Sequence, residues 1–153
     1  MPLIGSTPPG GCPRHSTSLS HGCYLFLTTP ITWAGAKQNC EDLHGHLVKI
    51  ETEEENEELY EEAVRLNTTE VSYWIGLTDA AREGNWVWSQ GERVNFTNWS
   101  THQPDNAKVR NPDGENCAVL NTNIKGRGYW NAPRKWNDGS CASQVGAICE
   151  FIV

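Results

Sequence analysis

Six cysteines stand at positions 12, 23, 40, 117, 141 and 149, and none of them falls in a Cys-x-x-Cys spacing. An even set without zinc-type spacing points to paired disulfides in an oxidising compartment. Six cysteines admit 15 connectivities, and spacing alone does not choose among them. The pairing nevertheless constrains the fold strongly. At 153 residues the chain is most simply one domain, long enough to bury a core. Three Asn-x-Ser/Thr sequons, at Asn67, Asn95 and Asn98, fit the same secreted history.

Composition narrows the partners. Hydrophobic residues make up 37% and there are seven tryptophans, enough for a packed core. The formal net charge of −7 argues against nucleic acid and anionic membrane surfaces. No apolar run approaches the roughly 18 residues of a spanning helix, so membrane insertion is not expected. Met1–Ser6 has neither the basic start nor the apolar stretch of a signal peptide. Residues 1–11, rich in Gly and Pro, read as a flexible arm, and 12–153 as the domain.

The first half of the domain reads as strand, helix, strand, helix. Cys23–Leu27 is an apolar strand bracketed by Gly22 and Thr28-Thr29-Pro30. Thr32 caps a helix with an inward face of Trp33, Ala36, Cys40 and Leu43, and Gly45 ends it. Leu47–Ile50 follows as a strand. Thr52 and Glu55 then form a capping box for a second helix, with Leu59, Ala63 and Leu66 at helical spacing. The acidic run Glu53–Glu58 reads as a solvated helix face favoured by the helix dipole.

Beyond Asn67 short strands, such as Tyr73–Leu77 and Ala147–Phe151, alternate with long loops full of Asn, Asp, Gly and Pro. Ordered loops of that length need something to hold them. Three loop segments offer side-chain oxygens: Gln103-Pro104-Asp105, Glu115 and Asn137-Asp138. An all-oxygen set suits a hard divalent ion, Ca²⁺ above others, whereas softer metals ask for thiolate or imidazole. His44-Gly45-His46 lacks a third zinc ligand, and no nucleophile motif, phosphate loop or His-Glu-x-x-His is present. The pattern therefore points to binding and away from an enzyme.

Trp74-Ile75-Gly76-Leu77, Asn98-Trp99 followed by Gln103-Pro104-Asp105, Gly114-Glu115-Asn116-Cys117, and Trp136-Asn137-Asp138 with Cys141 run in order through the chain. Together they resemble the C-type lectin-like domain in its long form, over roughly Cys12–Phe151. The resemblance implies an α+β fold with two helices, small antiparallel sheets and a long Ca²⁺-binding loop region. It implies the disulfides Cys12–Cys23, Cys40–Cys149 and Cys117–Cys141. It also implies a primary Ca²⁺ held by Gln103, Asp105, Glu115, Asn137 and Asp138, with a cis Gln103–Pro104 bond. A second Ca²⁺ would draw on Asp79, Glu83, Asn106, Glu115 and Asn116, two of which are amides where acids are frequent.

In this family the primary ion is part of the sugar site. Gln103, Asp105, Glu115 and Asn137 would then contact two vicinal sugar hydroxyls as well as the ion. Gln-Pro-Asp, as opposed to Glu-Pro-Asn, is associated with galactose and N-acetylgalactosamine. Such relatives often place a Trp shortly after the triplet; here Asn106–Arg110 contains no aromatic. Trp130 could fold over the site or anchor its loop, and His102 could touch sugar or stand aside. The expected function is Ca²⁺-dependent binding of galactose-type glycans on cell or microbial surfaces, in innate recognition, with a secreted location. Avidity would require several domains presented together, as in a homo-oligomer, though no neck segment is present. A mannose-type glycan, or a protein or mineral surface, stands as the alternative partner.

Overall fold

The computed structural model describes residues 12–66, 72–100, 103–105, 114–122 and 132–151. The arm at 1–11 lies outside them, as do His102, Asn106, Trp130 and the sequon asparagine Asn67. Among the described residues the elements run β1 (Thr17–Leu19), β2 (Gly22–Ile31), α1 (Trp33–Asp42), β3 (His46–Leu47), α2 (Glu53–Leu66), β4 (Ser72–Thr78), β5 (Val87–Trp88), β6 (Cys117–Asn121), β7 (Trp136–Gly139) and β8 (Val145–Phe151).

These strands form one sheet in the order β1-β2-β8-β4-β6-β7, with β3 on β8 and β5 on β4. The expected α+β fold, with two helices and antiparallel pairings, is found, and its strands join into one mixed sheet. A parallel pairing of β4 with β8, Tyr73 opposite Gly146 and Trp74 opposite Ala147, joins the two halves. The last strand therefore lies between β2 and β4, bringing the C-terminal end of the domain to the centre of the sheet.

Both central strands are buried on both faces, which explains their uninterrupted apolar runs. Tyr73, Ile75 and Leu77 of β4 pack with Ile148, Leu59 and Ala63 in one core cluster. Trp74, the residue between, packs with Ala147, Cys149, Ala36 and Cys40 in another. Alternation along the strand thus assigns one helix to each cluster. Each fully buried Leu or Ile in these clusters contributes about 1.5–3 kcal/mol.

Three disulfides are formed, Cys12–Cys23, Cys40–Cys149 and Cys117–Cys141. The second joins residues 109 apart and ties α1 to β8. In the entropic account a loop of that length removes the most freedom from the unfolded chain.

Local differences from the sequence reading have identifiable causes. Strand β2 continues through Thr28–Ile31, with its register on β8 irregular between Leu27 and Ile31. Pro30 is tolerated in this irregular stretch, as the missing N–H requires. Only His46–Leu47 of the third strand pairs, although Val48 and Ile50 are fully buried and the Val48 N–H donates to Ile148 O at 2.9 Å. Helix α1 starts at its Thr32 cap, which accepts from Gly35 N at 3.2 Å. It ends through His44, not Gly45: His44 is the left-handed residue, at φ 70°. Gly45 serves close approach instead, since a Cβ there would stand 2.5 Å from Glu150 O.

Helix α2 departs most from expectation. Thr52 Oγ1 accepts from Glu55 N at 3.1 Å, but the returning Glu55 carboxylate accepts from Glu51 N at 2.9 Å. Within the supposed solvated run, Glu55 and Asn56 are only 4% and 2% exposed. Leu66, assigned inward by spacing, is exposed at the helix end.

Candidate functional site

The site begins with an indole. Trp136 opens β7 and is fully buried, with Trp88, Phe96 and Trp99 set edge-on around it at 5.7–5.9 Å between ring centroids. Its backbone N–H donates to Asn98 O and its carbonyl accepts from Ser100 N, both at 2.8 Å. Its indole N–H donates to Asn56 Oδ1 at 2.7 Å, while Asn56 Nδ2 donates to Arg134 O at 2.8 Å. Helix α2 therefore holds the residue that immediately precedes Asn137 and Asp138.

From this anchor three segments converge. Strands β6 and β7 pair antiparallel, with Cys117 opposite Gly139, Ala118 opposite Asp138 and Val119 opposite Asn137. That register brings Glu115, just before β6, to the same end of the ladder as Asp138, and the Cys117–Cys141 disulfide closes it. Gly114, at φ 87°, supplies a left-handed turn into Glu115 that a side chain would resist. The third segment is held by two backbone donors: Gln103 N to Ser100 O at 2.9 Å, and Asp105 N to Asp138 Oδ1 at 3.2 Å. The Gln103–Pro104 bond is cis.

The result is a cluster in which one carboxylate oxygen each from Asp105, Glu115 and Asp138 lies within 4.8 Å of the others. Glu115 and Asp138 are 6% and 3% exposed, while Asp105 faces solvent. Gln103 Nε2 donates across to Asp105 Oδ2 at 3.4 Å. Its Oε1 is buried without a hydrogen-bond partner among the described residues. Three like charges gathered in a largely buried place repel one another unless a proton or a cation intervenes. An orphaned amide oxygen beside them costs free energy for the same reason. Carboxylate and amide oxygens with no sulfur or imidazole are the donor set of a hard ion such as Ca²⁺. The residues present therefore fit that ion.

Asn137 is half-buried and adjoins the cluster on β7. Of the second group, Asp79 follows β4, is 2% exposed, and accepts from Gly84 N at 2.8 Å through Oδ2, leaving Oδ1 without a partner among the described residues. Its N–H donates to Asn116 O at 3.1 Å, and Thr78 Oγ1 donates to the same carbonyl at 2.6 Å. The Asp79 loop is thereby stitched to the Glu115–Asn116 segment, with Glu83 exposed on it.

Sequence reading missed Asn56 and Arg134. Asn56 sat inside an acidic run and gave no sign of being buried. Arg134 takes a left-handed φ of 74°, stacks its guanidinium 4.5 Å over Tyr60 and pairs with Glu57 at 2.8 Å, fixing the turn that leads into β7. Only a pattern of covariation with Trp136 could have exposed Asn56.

Comparison with known proteins agrees with this architecture. The Lectin C-type domain family model matches residues 29–151. The chain belongs to the C-type lectin family. The lectin domain is 34% identical over 150 residues to an alpha-N-acetylgalactosamine-specific lectin of Patiria pectinifera, covering 94% of this chain and 82% of that protein. The carbohydrate-recognition domain of the mouse scavenger receptor C-type lectin superposes with a TM-score of 0.77 at 35% identity, over 93% of this chain and all of that one. A calcium-independent type II antifreeze protein shares the fold alone, with a TM-score of 0.71 at 23% identity, over 90% of this chain and 92% of its own. Carbohydrate recognition, not catalysis, is the activity of this lectin's family. No helix among the described residues is long and apolar enough to cross a membrane.

Proposed function

We propose that residues 12–153 form a secreted Ca²⁺-dependent carbohydrate-recognition domain for terminal galactose or N-acetylgalactosamine. The observation that carries this reading is the convergence of Asp105, Glu115 and Asp138 beside the unsatisfied Gln103 Oε1. Gln103, Asp105, Glu115, Asn137 and Asp138 hold the ion. When bound, Ca²⁺ neutralises the carboxylates and supplies coordination positions for two vicinal sugar hydroxyls.

The side chains do the rest. Asp105 and Glu115 accept hydrogen bonds from the sugar hydroxyls, and the amides of Gln103 and Asn137 donate to the hydroxyl oxygens. With the amide at 103 and the acid at 105, the donor–acceptor order runs opposite to that of a Glu-Pro-Asn triplet. That order supports an axial 4-hydroxyl, as in galactose. The specificity of the Patiria lectin, similar along nearly the whole chain, supports the same sugar class. Asp79, Glu83, Asn106, Glu115 and Asn116 form a second, weaker Ca²⁺ site. The orphaned Asp79 Oδ1 supports it, and its two amides lower the charge that holds the ion.

Purified protein titrated on immobilised galactose and mannose, first in Ca²⁺ and then in EDTA, tests this reading. Galactose retention that EDTA abolishes is the expected result. Retention that survives EDTA sinks the ion-bridged mechanism, and Ca²⁺-dependent retention on mannose sinks the specificity. The double variant Gln103→Glu, Asp105→Asn is expected to move preference toward mannose.

A further inference from the structure

Two sequons lie three residues apart in the segment between β5 and the candidate site, Asn95-Phe96-Thr97 and Asn98-Trp99-Ser100. Their surroundings differ sharply. Asn95 is exposed, and its side chain makes no hydrogen bond among the described residues. Its hydroxyl residue Thr97 is exposed as well. Between them Phe96 is partly buried against the core, with its ring edge-on to Trp136, so the backbone at 95 is fixed while the side chain points outward.

Asn98 is committed to the fold. Its Nδ2, the atom a glycan would occupy, donates to Arg134 O at 2.8 Å, and its Oδ1 accepts from Lys135 Nζ at 3.0 Å. Its backbone carbonyl accepts from Trp136 N, and the sequon's Ser100 is only 2% exposed. A sugar on Nδ2 would crowd the Arg134 carbonyl, which also receives Asn56 Nδ2. The turn that leads into Asn137 and Asp138 would be disturbed.

We infer that Asn95 is the N-glycosylation site of this segment and that Asn98 is left unmodified. In the transfer, one Asn95 Nδ2–H bond is replaced by a bond to C1 of an N-acetylglucosamine. The C1–oxygen bond to a lipid-diphosphate oligosaccharide donor breaks, the lipid diphosphate leaves, and the displaced proton passes to solvent. Transfer precedes folding, so the decisive question is which modified chain can still fold: a glycan at Asn95 meets no observed hydrogen bond, whereas one at Asn98 must share Nδ2 with the Arg134 carbonyl. A glycan at 95 also obstructs transfer three residues later. Asn95 further lines an open pocket of about 190 Å³ with Lys49, Arg93 and Phe96, which leaves space beside its side chain.

The test is secretion of the full chain from a eukaryotic cell, in an Asn67→Gln background that removes the third sequon. Intact mass before and after peptide-N-glycosidase treatment is then compared with site mapping through the Asn→Asp change that release leaves behind. The expected result is one glycan, mapped to residue 95, lost in Asn95→Gln and in Thr97→Ala, and kept in Ser100→Ala. Thr97→Ala keeps Asn95 itself, so a folding defect of Asn95→Gln does not obscure the outcome. An unmodified parent, a glycan on Asn98, or a glycan lost in Ser100→Ala overturns the inference.

Discussion

Two groups of carboxylates, each with buried members, stand in this domain, and their surroundings differ. Around the contact of α2 with β2 and β8 each acid has a donor of its own. Glu55 accepts from the Tyr24 hydroxyl at 2.5 Å and from Glu51 N, and Glu150 accepts from Lys49 N at 3.1 Å with His46 Nε2 4.0 Å away. Burial, and next the Glu55 carboxylate, push the Tyr24 phenol up, so it remains a donor. At the end of the β6–β7 ladder one carboxylate oxygen each of Asp105, Glu115 and Asp138 lies within 4.8 Å of the others. The first group is neutralised by the chain's own hydrogen bonds and braces the fold. The second gathers like charge, which the cation of the proposed function would offset.

Substituting Asp138→Asn is the strongest way to break this contrast. Removing one of three charges is expected to weaken Ca²⁺-dependent sugar retention by about 100-fold or more. In EDTA the variant should melt no lower than the parent, because it relieves repulsion that is then uncompensated. A variant that melts much lower in EDTA would place Asp138 among the bracing acids.

Asn56→Leu ranks next. It strips the partner from a fully buried indole N–H and one of two donors from the Arg134 carbonyl. The indole N–H left unsatisfied costs about 1–3 kcal/mol, while the Arg134 carbonyl keeps Asn98 Nδ2. Since Trp136 carries Asn137 and Asp138, Ca²⁺ affinity should fall by about tenfold as well, in line with other residues that orient ligands. Lost stability with unchanged Ca²⁺ affinity would show that α2 holds the core but does not position the site.

The smallest effect concerns the bracing group. Burial, opposed by the Lys49 N–H and seconded by the Glu55 charge, raises Glu150 from its ordinary value of 4.5 to about 7. The folded state thus binds this proton more tightly than the unfolded chain. Its stabilisation is complete below about pH 4.5 and is lost as pH rises through 7. Glu150→Gln, a permanent mimic of the protonated form, should therefore gain on the parent between pH 5 and 8, by on the order of 1–2 kcal/mol. A stability difference that stays flat over this range would contradict the assignment.

Much of the fold was legible because the informative residues are close in sequence or chemically explicit. The apolar run Tyr73–Leu77 announces a strand, and the acids of three loop segments, Asp105, Glu115 and Asp138, are the ones the fold brings together. What was not legible depends on long-range packing. Glu55 and Asn56 resemble a solvated helix turn until Tyr24, 31 residues earlier, and Trp136, 80 residues later, are folded against them. Likewise Gly45 resembles an ordinary helix stop, yet Glu150 O lies where its Cβ would be. The parallel pairing of β4 with β8 leaves no local mark, because a strand covered on both faces reads the same in either direction.

Calorimetric titration of Ca²⁺ into the parent and into Asp138→Asn, in the absence of sugar, tests the central claim most directly. The account predicts saturable binding by the parent, with the strongest phase lost in the variant. Equal Ca²⁺ binding by both proteins, or none by the parent, would contradict it.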